Sequence, residues 1–420
     1  MICKRIVAFV CFSLLLLASG TAFANETLVV QLTGVDARAL SYIRENIVPS
    51  FEAKYGITVE LENVDWANRL DRLVVRTAGG VPPDVFMSGA EHILELVQNN
   101  LIAPIDEELA AWEEADDFFP ATWGSSTFRG VHYGVPFYTA PRIWWYRISL
   151  FEEAGLDATQ PPSTWDELLN AVRRLSRYDG ETLVQFGYSL QRINPGDQWS
   201  AIQDWVVYLW QAGGELVSEE TLEPLFDSPA GREALRFVVD LRDAVVGPAT
   251  ELPFDDWGNL AFSRRASAIY LAGPWVPSEF HGPLRSEMDD VAAFWQVAGA
   301  GGPASVVFTD WLGIHPASKN KELAWRFIQE LTSAQALVDM HMHNGTLSPR
   351  RSTVSDYVAE LPLTRYMYMS MDVMRPYPVY PNPDKVMKEW HDQYVKVMRG
   401  EISVEEGLAE AARLWAALSQ

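Results

Sequence analysis

Hydrophobic and polar residues follow two rhythms along this chain. Glu26–Leu32 (ETLVVQL) predicts a first strand, with Gly34-Val35-Asp36 as the loop that leaves it. Arg38–Tyr55 predicts a helix stopped at Gly56, a residue suited to a helix end. Ile57–Leu61 (ITVEL) returns to period two, as a strand should. A second helix runs from Trp66 to about Ala78, and the Gly-Gly and Pro-Pro of GGVPPDVFMSG set off a short strand at Asp84–Met87. Strand and helix alternate, which predicts α/β architecture with a largely parallel sheet.

The middle and end of the chain carry better-marked helices. PPSTWDELLNAVRRL pairs Thr164 with Glu167 as a capping box and sets Leu168, Leu169, Val172 and Leu175 on one face. DSPAGREALRFVVDL offers Ser228 as N-cap with Pro229 at the first helical position. SKNKELAWRFIQEL aligns Leu323, Phe327, Ile328 and Leu331, and SVEEGLAEAARLWAAL repeats the capping box with Ser403 and Glu406. The chain shows no internal repeat, low-complexity tract, long charge run or obvious flexible linker. Two lobes, if present, must be joined by short segments inside the fold.

The first residues change the picture of where the chain works. Lys4 and Arg5 precede the apolar run IVAFVCFSLLLLA, and Ala22-Phe23-Ala24 offers a small-x-small site. These are the three parts of a secretory signal peptide, expected over residues 1–24. The apolar run is shorter than the roughly 20 residues a membrane span needs. Both cysteines, Cys3 and Cys11, lie inside this segment, and Cys11 follows the basic start too closely to suit lipid attachment. The rest of the chain therefore lacks disulfides, thiolate metal sites and a cysteine nucleophile. The 420 residues carry a net charge of −23, and losing Lys4 and Arg5 takes the remainder from −23 to −25. That charge argues against nucleic acid or an anionic membrane as partner. The length suits two domains of about 100–200 residues each.

Motifs for catalysis are missing. Neither G-x-S-x-G nor H-E-x-x-H occurs. Gly299–Gly302 (GAGG) leads into no helix start, so a phosphate loop is not expected there. His341 and His343 in MHMHN stand two apart with no acid or thiol beside them, so neither a metal nor another cofactor is expected. An exported hydrolase using two carboxylates stays open as an alternative without a positive sign.

Aromatic residues at loop positions are the positive chemistry. The chain has 16 tryptophans. Trp112, Trp205, Trp210, Trp325 and Trp415 fit helical periods and read as core, and Trp144 and Trp145 lie in an apolar run. Others fall outside any period, beside polar groups: Trp66, Trp199, Trp257, Trp275 and Trp311, with Tyr138 in VPFYTAPR. In α/β domains the carboxyl ends of strands face the ligand crevice. A flat apolar ring there fits the C–H face of a sugar, with nearby carboxylates, amides and arginines for its hydroxyls. Trp275, just past the apolar strand Ala266–Ala272, and Trp311, beside Asp310, are the foremost candidates.

The chain also resembles a known family. FEAKYGITVEL, GGVPPDVFMSG, LIAPIDEEL, GVPFYTAPRIWWYRISLFEEAGLDATQPPSTWDELLNAVRRL, WQAGGELVSEE, AIYLAGPW, SKNKELAWRFIQELTSAQA and GTLSPRRSTV occur in the order seen in family 1 extracellular solute-binding proteins. These are the maltose- and trehalose-type receptors of bacterial ABC importers. The resemblance implies a two-lobe periplasmic-binding-protein fold of type II, α/β, with mostly parallel sheets flanked by helices and three crossover segments. It implies crossings near 138–141, 305–309 and 347–351, with lobe one as 26–138 and 310–348 and lobe two as 141–305 and 351–420. The implied function is a periplasmic receptor, a monomer, that closes around a carbohydrate and delivers it to a membrane permease. Polyamines and glycerol-phosphate-type ligands are alternatives. The resemblance implies ligand contacts at Asp36, Ser88, Glu91, Tyr138, Trp275, Asp310, Trp311, Arg350 and Arg375, beside Trp66 and Trp257 from the aromatic pattern. Ala140 and Pro141 stand where the family often places an aspartate, and Asp310 where glycine is common.

Overall fold

The computed structural model describes residues 26–189, 198–247, 259–280, 282–342 and 345–419. The expected signal peptide, Trp257 and His343 lie outside the described residues. Nine strands carry the argument: β1 (Thr27–Thr33), β2 (Thr58–Val64), β3 (Val85–Ser88), β4 (Gly134–Pro141), β5 (Ile143–Arg147), β6 (Ile269–Ala272), β7 (Val291–Phe294), β8 (Ser305–Ile314) and β9 (Met374–Pro376). Four helices matter to the site: α1 (Arg69–Ala78), α2 (Gln198–Gln211), α3 (Pro383–Met398) and α4 (Val404–Leu418).

β1 lies between β2 and β3, parallel to both. Leu28, Val30 and Leu32 of β1 are fully buried against Phe51, Phe137, Phe327 and Leu337. This is the first hydrophobic core. The long strand β8 then ties the molecule together. Its second half runs antiparallel to β3, from Trp311 opposite Ser88 to Ile314 opposite Val85. Along most of its length it pairs antiparallel with β4, while Ser305–Val307 pairs parallel with β9. Leu347 exchanges backbone hydrogen bonds with Thr139 of β4, at 2.8 and 3.0 Å.

Beyond β4 the chain enters a second body. β5 is flanked by β6 and β7, antiparallel to each. Successive strand side chains point to opposite faces, and here both faces are covered. Trp144 and Tyr146 face the large second core with Trp205, Trp390 and Trp415, whereas Ile143 and Trp145 face a third cluster with Tyr270 and Tyr357. Ile143–Tyr146 therefore reads as a continuous apolar and aromatic run, because both faces of that strand are buried.

The local signals behave as their chemistry requires. Both capping boxes form: Thr164 and Ser403 each accept from the backbone three residues on, and Glu167 and Glu406 return the contact. Ser228 caps the helix that begins at Pro229. Gly56 ends the first helical stretch with φ +69°, a conformation glycine adopts without strain. Among the described residues no helix is long and apolar enough to cross a membrane.

Candidate ligand-binding site

A cleft of about 600 Å³ opens between the two bodies. Its first wall starts at Trp66, where β2 gives way to a short 3-10 turn and α1. The Trp66 ring lies on the backbone of Gly34, whose φ is +57°; a Cβ at Gly34 would fall 2.0 Å from the indole nitrogen. Glycine is needed there twice, for its dihedral and for the close approach. Trp66 remains 41% exposed. One turn on, the Arg69 guanidinium sits 5.1 Å from the Trp66 ring, and the buried Gln31 side chain donates to the Arg69 carbonyl at 3.1 Å.

Arg69 forms an ion pair with Glu91, in the turn after β3. Gly89 lets this happen. A Cβ at that position would lie 2.5 Å from a Glu91 carboxylate oxygen and 2.9 Å from one of Asp310. The two carboxylates thus converge on one stretch of bare backbone, one from the turn after β3 and one from β8. Asp310 of β8 stands opposite Tyr138 of β4, and paired residues in an antiparallel ladder share a face. The Tyr138 hydroxyl donates to the Asp310 carboxylate.

Burial sets the protonation of this group. It pushes the Asp310 carboxyl up to about 6, against the opposing pull of Arg69 and the Tyr138 hydrogen bond. Burial also raises the Tyr138 hydroxyl well above its ordinary range, helped by Asp310. His92, also in the lining, is driven down to about 3 by burial and by Arg69, so it stays neutral at working pH. With Asp71 of α1 also in the lining, the wall offers an arginine, three carboxyl groups and a neutral imidazole around one exposed ring.

The facing wall is built by α2, α3 and β8. Trp199 and Gln203 of α2, Asp384 in the first turn of α3, and Phe308 of β8 line it. The Trp199 indole N–H donates to Asp384 Oδ1 at 3.3 Å. Trp275 does not line this cavity, and the Arg142 guanidinium lies 4.3 Å from its ring and 4.7 Å from that of Phe308.

The structure thus gathers Trp66, Glu91 and Asp310 from the expected contacts, with Tyr138 behind Asp310 as its hydrogen-bond donor. The rest are placed elsewhere. Trp311 is a correction. It is fully buried, donating its indole N–H to the Ser125 carbonyl at 3.0 Å and packing edge-on to Phe86. A register shift falls between Asp310 and Trp311, and strand alternation turns Trp311 into the core once Asp310 faces the cleft. Arg350 is a second correction. It is buried, with ion pairs to Glu114 and Asp117 and a hydrogen bond to the Thr332 carbonyl at 2.6 Å. Arg375 also leaves the cleft: it pairs with Glu215 at 2.7 Å in a separate groove of about 520 Å³. Asp36 caps the helix beginning at Ala37, accepting from the Arg38 and Ala39 amides, and does not line the cavity. Ser88 is buried in the β3–β8 ladder. His341 is buried edge-on against Phe137 and Tyr138, which pushes it down to about 3.

Sequence reasoning missed Arg69, Phe308, Gln203 and Asp384. Trp66 and Arg69 stand three apart at a helix start, a spacing that shares one face and was available as a signal. The other three come from two distant helices and a strand, and nothing local marks their convergence.

A two-lobe α/β fold whose β4 and β8 pair beside a polar and aromatic cleft defines a ligand-binding protein of the two-lobed class. The model of bacterial extracellular solute-binding proteins matches residues 35–337, and the chain belongs to that family. It is 27% identical over 384 residues to the mannitol-binding protein of Pseudomonas aeruginosa, covering 89% of this chain and 84% of that one. It is 26% identical over 290 residues to a putative binding protein of Brucella abortus, covering 68% and 67%. Among solved structures, the sugar-binding protein MalE from Xanthomonas citri is similar with a TM-score of 0.80 and 22% identity, over 93% of this chain and 97% of that one.

Proposed function

We propose that this protein is a periplasmic receptor that captures a carbohydrate or polyol without altering it and hands it to an ABC importer. The observation that carries this reading is the first wall: an exposed indole beside Arg69, Glu91 and Asp310. Charged groups that both donate and accept suit a ligand rich in hydroxyls, while the ring takes its C–H face. The relation to a mannitol-binding protein supports the same ligand chemistry.

The mechanism follows from the cleft's construction. Ligand binds the preset first wall, and Trp199, Gln203 and Asp384 then come to it as the lobes close. The hinge lies at 138–141, 305–309 and 347–351, where chain passes between the bodies. Hinge closure of this kind is general to periplasmic binding proteins. The ligand favours the closed form only by its extra affinity for it. The closed pair of lobes is the surface a permease reads.

The test is thermal-shift and calorimetric titration against a panel of hexoses, hexitols, disaccharides, glycerol phosphate and spermidine. A specific ligand raises the melting temperature in proportion to its saturation. Saturable binding of a sugar or polyol, with the ligand recovered unchanged, is the expected result. Turnover of the ligand, or response to spermidine alone, would replace the reading.

A further inference from the structure

Arg142 follows β4 and opens into β5. Its guanidinium carbon lies 4.3 Å from the centre of the Trp275 ring and 4.7 Å from that of Phe308. The planar group is therefore held between two aromatic side chains. Nη1 donates to the Ala140 carbonyl at 3.0 Å, and Nη2 reaches Gln203 Oε1 at 3.5 Å. Phe308 and Gln203 line the cleft, so the arginine closes a slot that adjoins it.

The turn carrying Trp275 is fixed just as closely. A Cβ on Gly273 would lie 2.2 Å from the indole, and one on Gly345, at φ +76°, would lie 2.9 Å from the Trp275 Cα. The ring packs on Gly273 of its own turn, the Gly345 loop closes on the Trp275 backbone, and the arginine lies against both the Trp275 and Phe308 rings. An aromatic platform for a sugar needs an uncovered face at the usual contact spacing of about 4 Å. Here that spacing is already filled. Stacking of arginine on an aromatic ring is attractive, and Arg142 is held by the Trp275 and Phe308 rings and by hydrogen bonds that include those to Ala140 and Gln203.

Resting on the carbohydrate reading above, we infer that Arg142 sets the length of the ligand. It fills the Trp275–Phe308 slot where a second sugar ring would stack, so the site takes a single ring or an open-chain polyol of similar size. The second wall then recognises the ligand through Trp199, Gln203, Asp384 and the exposed edge of Phe308.

Calorimetric titration of the wild type, Arg142→Ala and Arg142→Met with a hexose, a hexitol, a disaccharide and a trisaccharide tests this. The wild type should bind a hexose or hexitol at least tenfold more tightly than any disaccharide. Arg142→Ala empties the slot and should tighten disaccharide binding at least fivefold without tightening the hexose. Arg142→Met refills the slot with an unbranched apolar chain and should keep the wild-type preference. Arg142→Gln shortens the side chain while keeping a donor for the Ala140 carbonyl, and should give part of the same disaccharide gain if Arg142→Ala does not fold. A wild type that prefers di- or trisaccharides overturns the inference, as do variants that shift all ligand lengths in parallel. If the wild type binds no sugar or polyol of any length, the receptor reading falls as well; the other adverse outcomes leave that reading standing.

Discussion

The two walls of the cleft are made differently. The first is a charged network set by short loops: Trp66 seated on Gly34, Arg69 paired with Glu91, and Asp310 brought in by β8 beside bare backbone at Gly89. The second presents the rings of Trp199 and Phe308, and an arginine lies against the rings of Phe308 and Trp275. The first wall presents charged groups and an indole that is 41% exposed. The second supplies shape. The contrast shows that a tryptophan near a cleft has three fates in one molecule: exposed at Trp66, masked at Trp275 and buried at Trp311.

The largest expected effect separates the buried tryptophan from the exposed one. Trp311→Ala should destabilise the fold by roughly 3–5 kcal/mol, the usual cost of emptying a buried aromatic site, as read by denaturant unfolding. A milder loss of about 2–3 kcal/mol is expected for Arg350→Met, with ligand affinity unchanged within about twofold. It falls below the 3–5 kcal/mol typical of a broken buried ion pair because Glu114 is largely exposed to water. An affinity loss at Arg350 would instead return it to the ligand site.

Trp66→Ala should do the opposite: stability within about 1 kcal/mol of wild type, since the ring is 41% exposed, and ligand binding weaker by about tenfold, or about 1.4 kcal/mol. Equal losses in stability and affinity would erase the distinction between the walls.

Asp310 sharpens the comparison through pH. Its carboxyl is raised on folding from 3.8 to about 6. A group raised in this way stabilises the fold most below about pH 4 and loses that contribution as pH rises through about 6. A ligand hydroxyl needs the ionised carboxylate as acceptor, so binding should weaken a few-fold as pH falls through about 6. Asp310→Asn should flatten both profiles in melting and titration series between pH 4 and 7. The smallest effect is expected at Arg375→Ala. Its pair with Glu215 is well exposed on both sides, and such pairs contribute about 0–1 kcal/mol. Melting temperature and ligand affinity should barely move.

Much of this architecture was legible in the sequence because its causes are local. The capping boxes at Thr164 and Ser403, the stop at Gly56 and the period of ETLVVQL each depend on residues within a few positions. Trp66, Glu91 and Asp310 were legible as candidates because each stands just past a strand or at a crossover, beside polar neighbours. Arg350 misled because a charged side chain reads as surface or ligand contact until its partners are known, and Glu114 and Asp117 lie more than 230 positions away.

The sequence by itself determined the elements, the alternation of strand and helix and the family pattern, since hydrophobic period and capping act over single turns. Tertiary structure decided which tryptophan meets solvent. Strand alternation along β8 sends Trp311 to the core once pairing turns Asp310 to the cleft, and Arg142 reaches Trp275 from 133 positions away along the chain. The physical reason is that a side chain's face is fixed by strand pairing and by neighbours distant in sequence, and neither is written in the residues beside it.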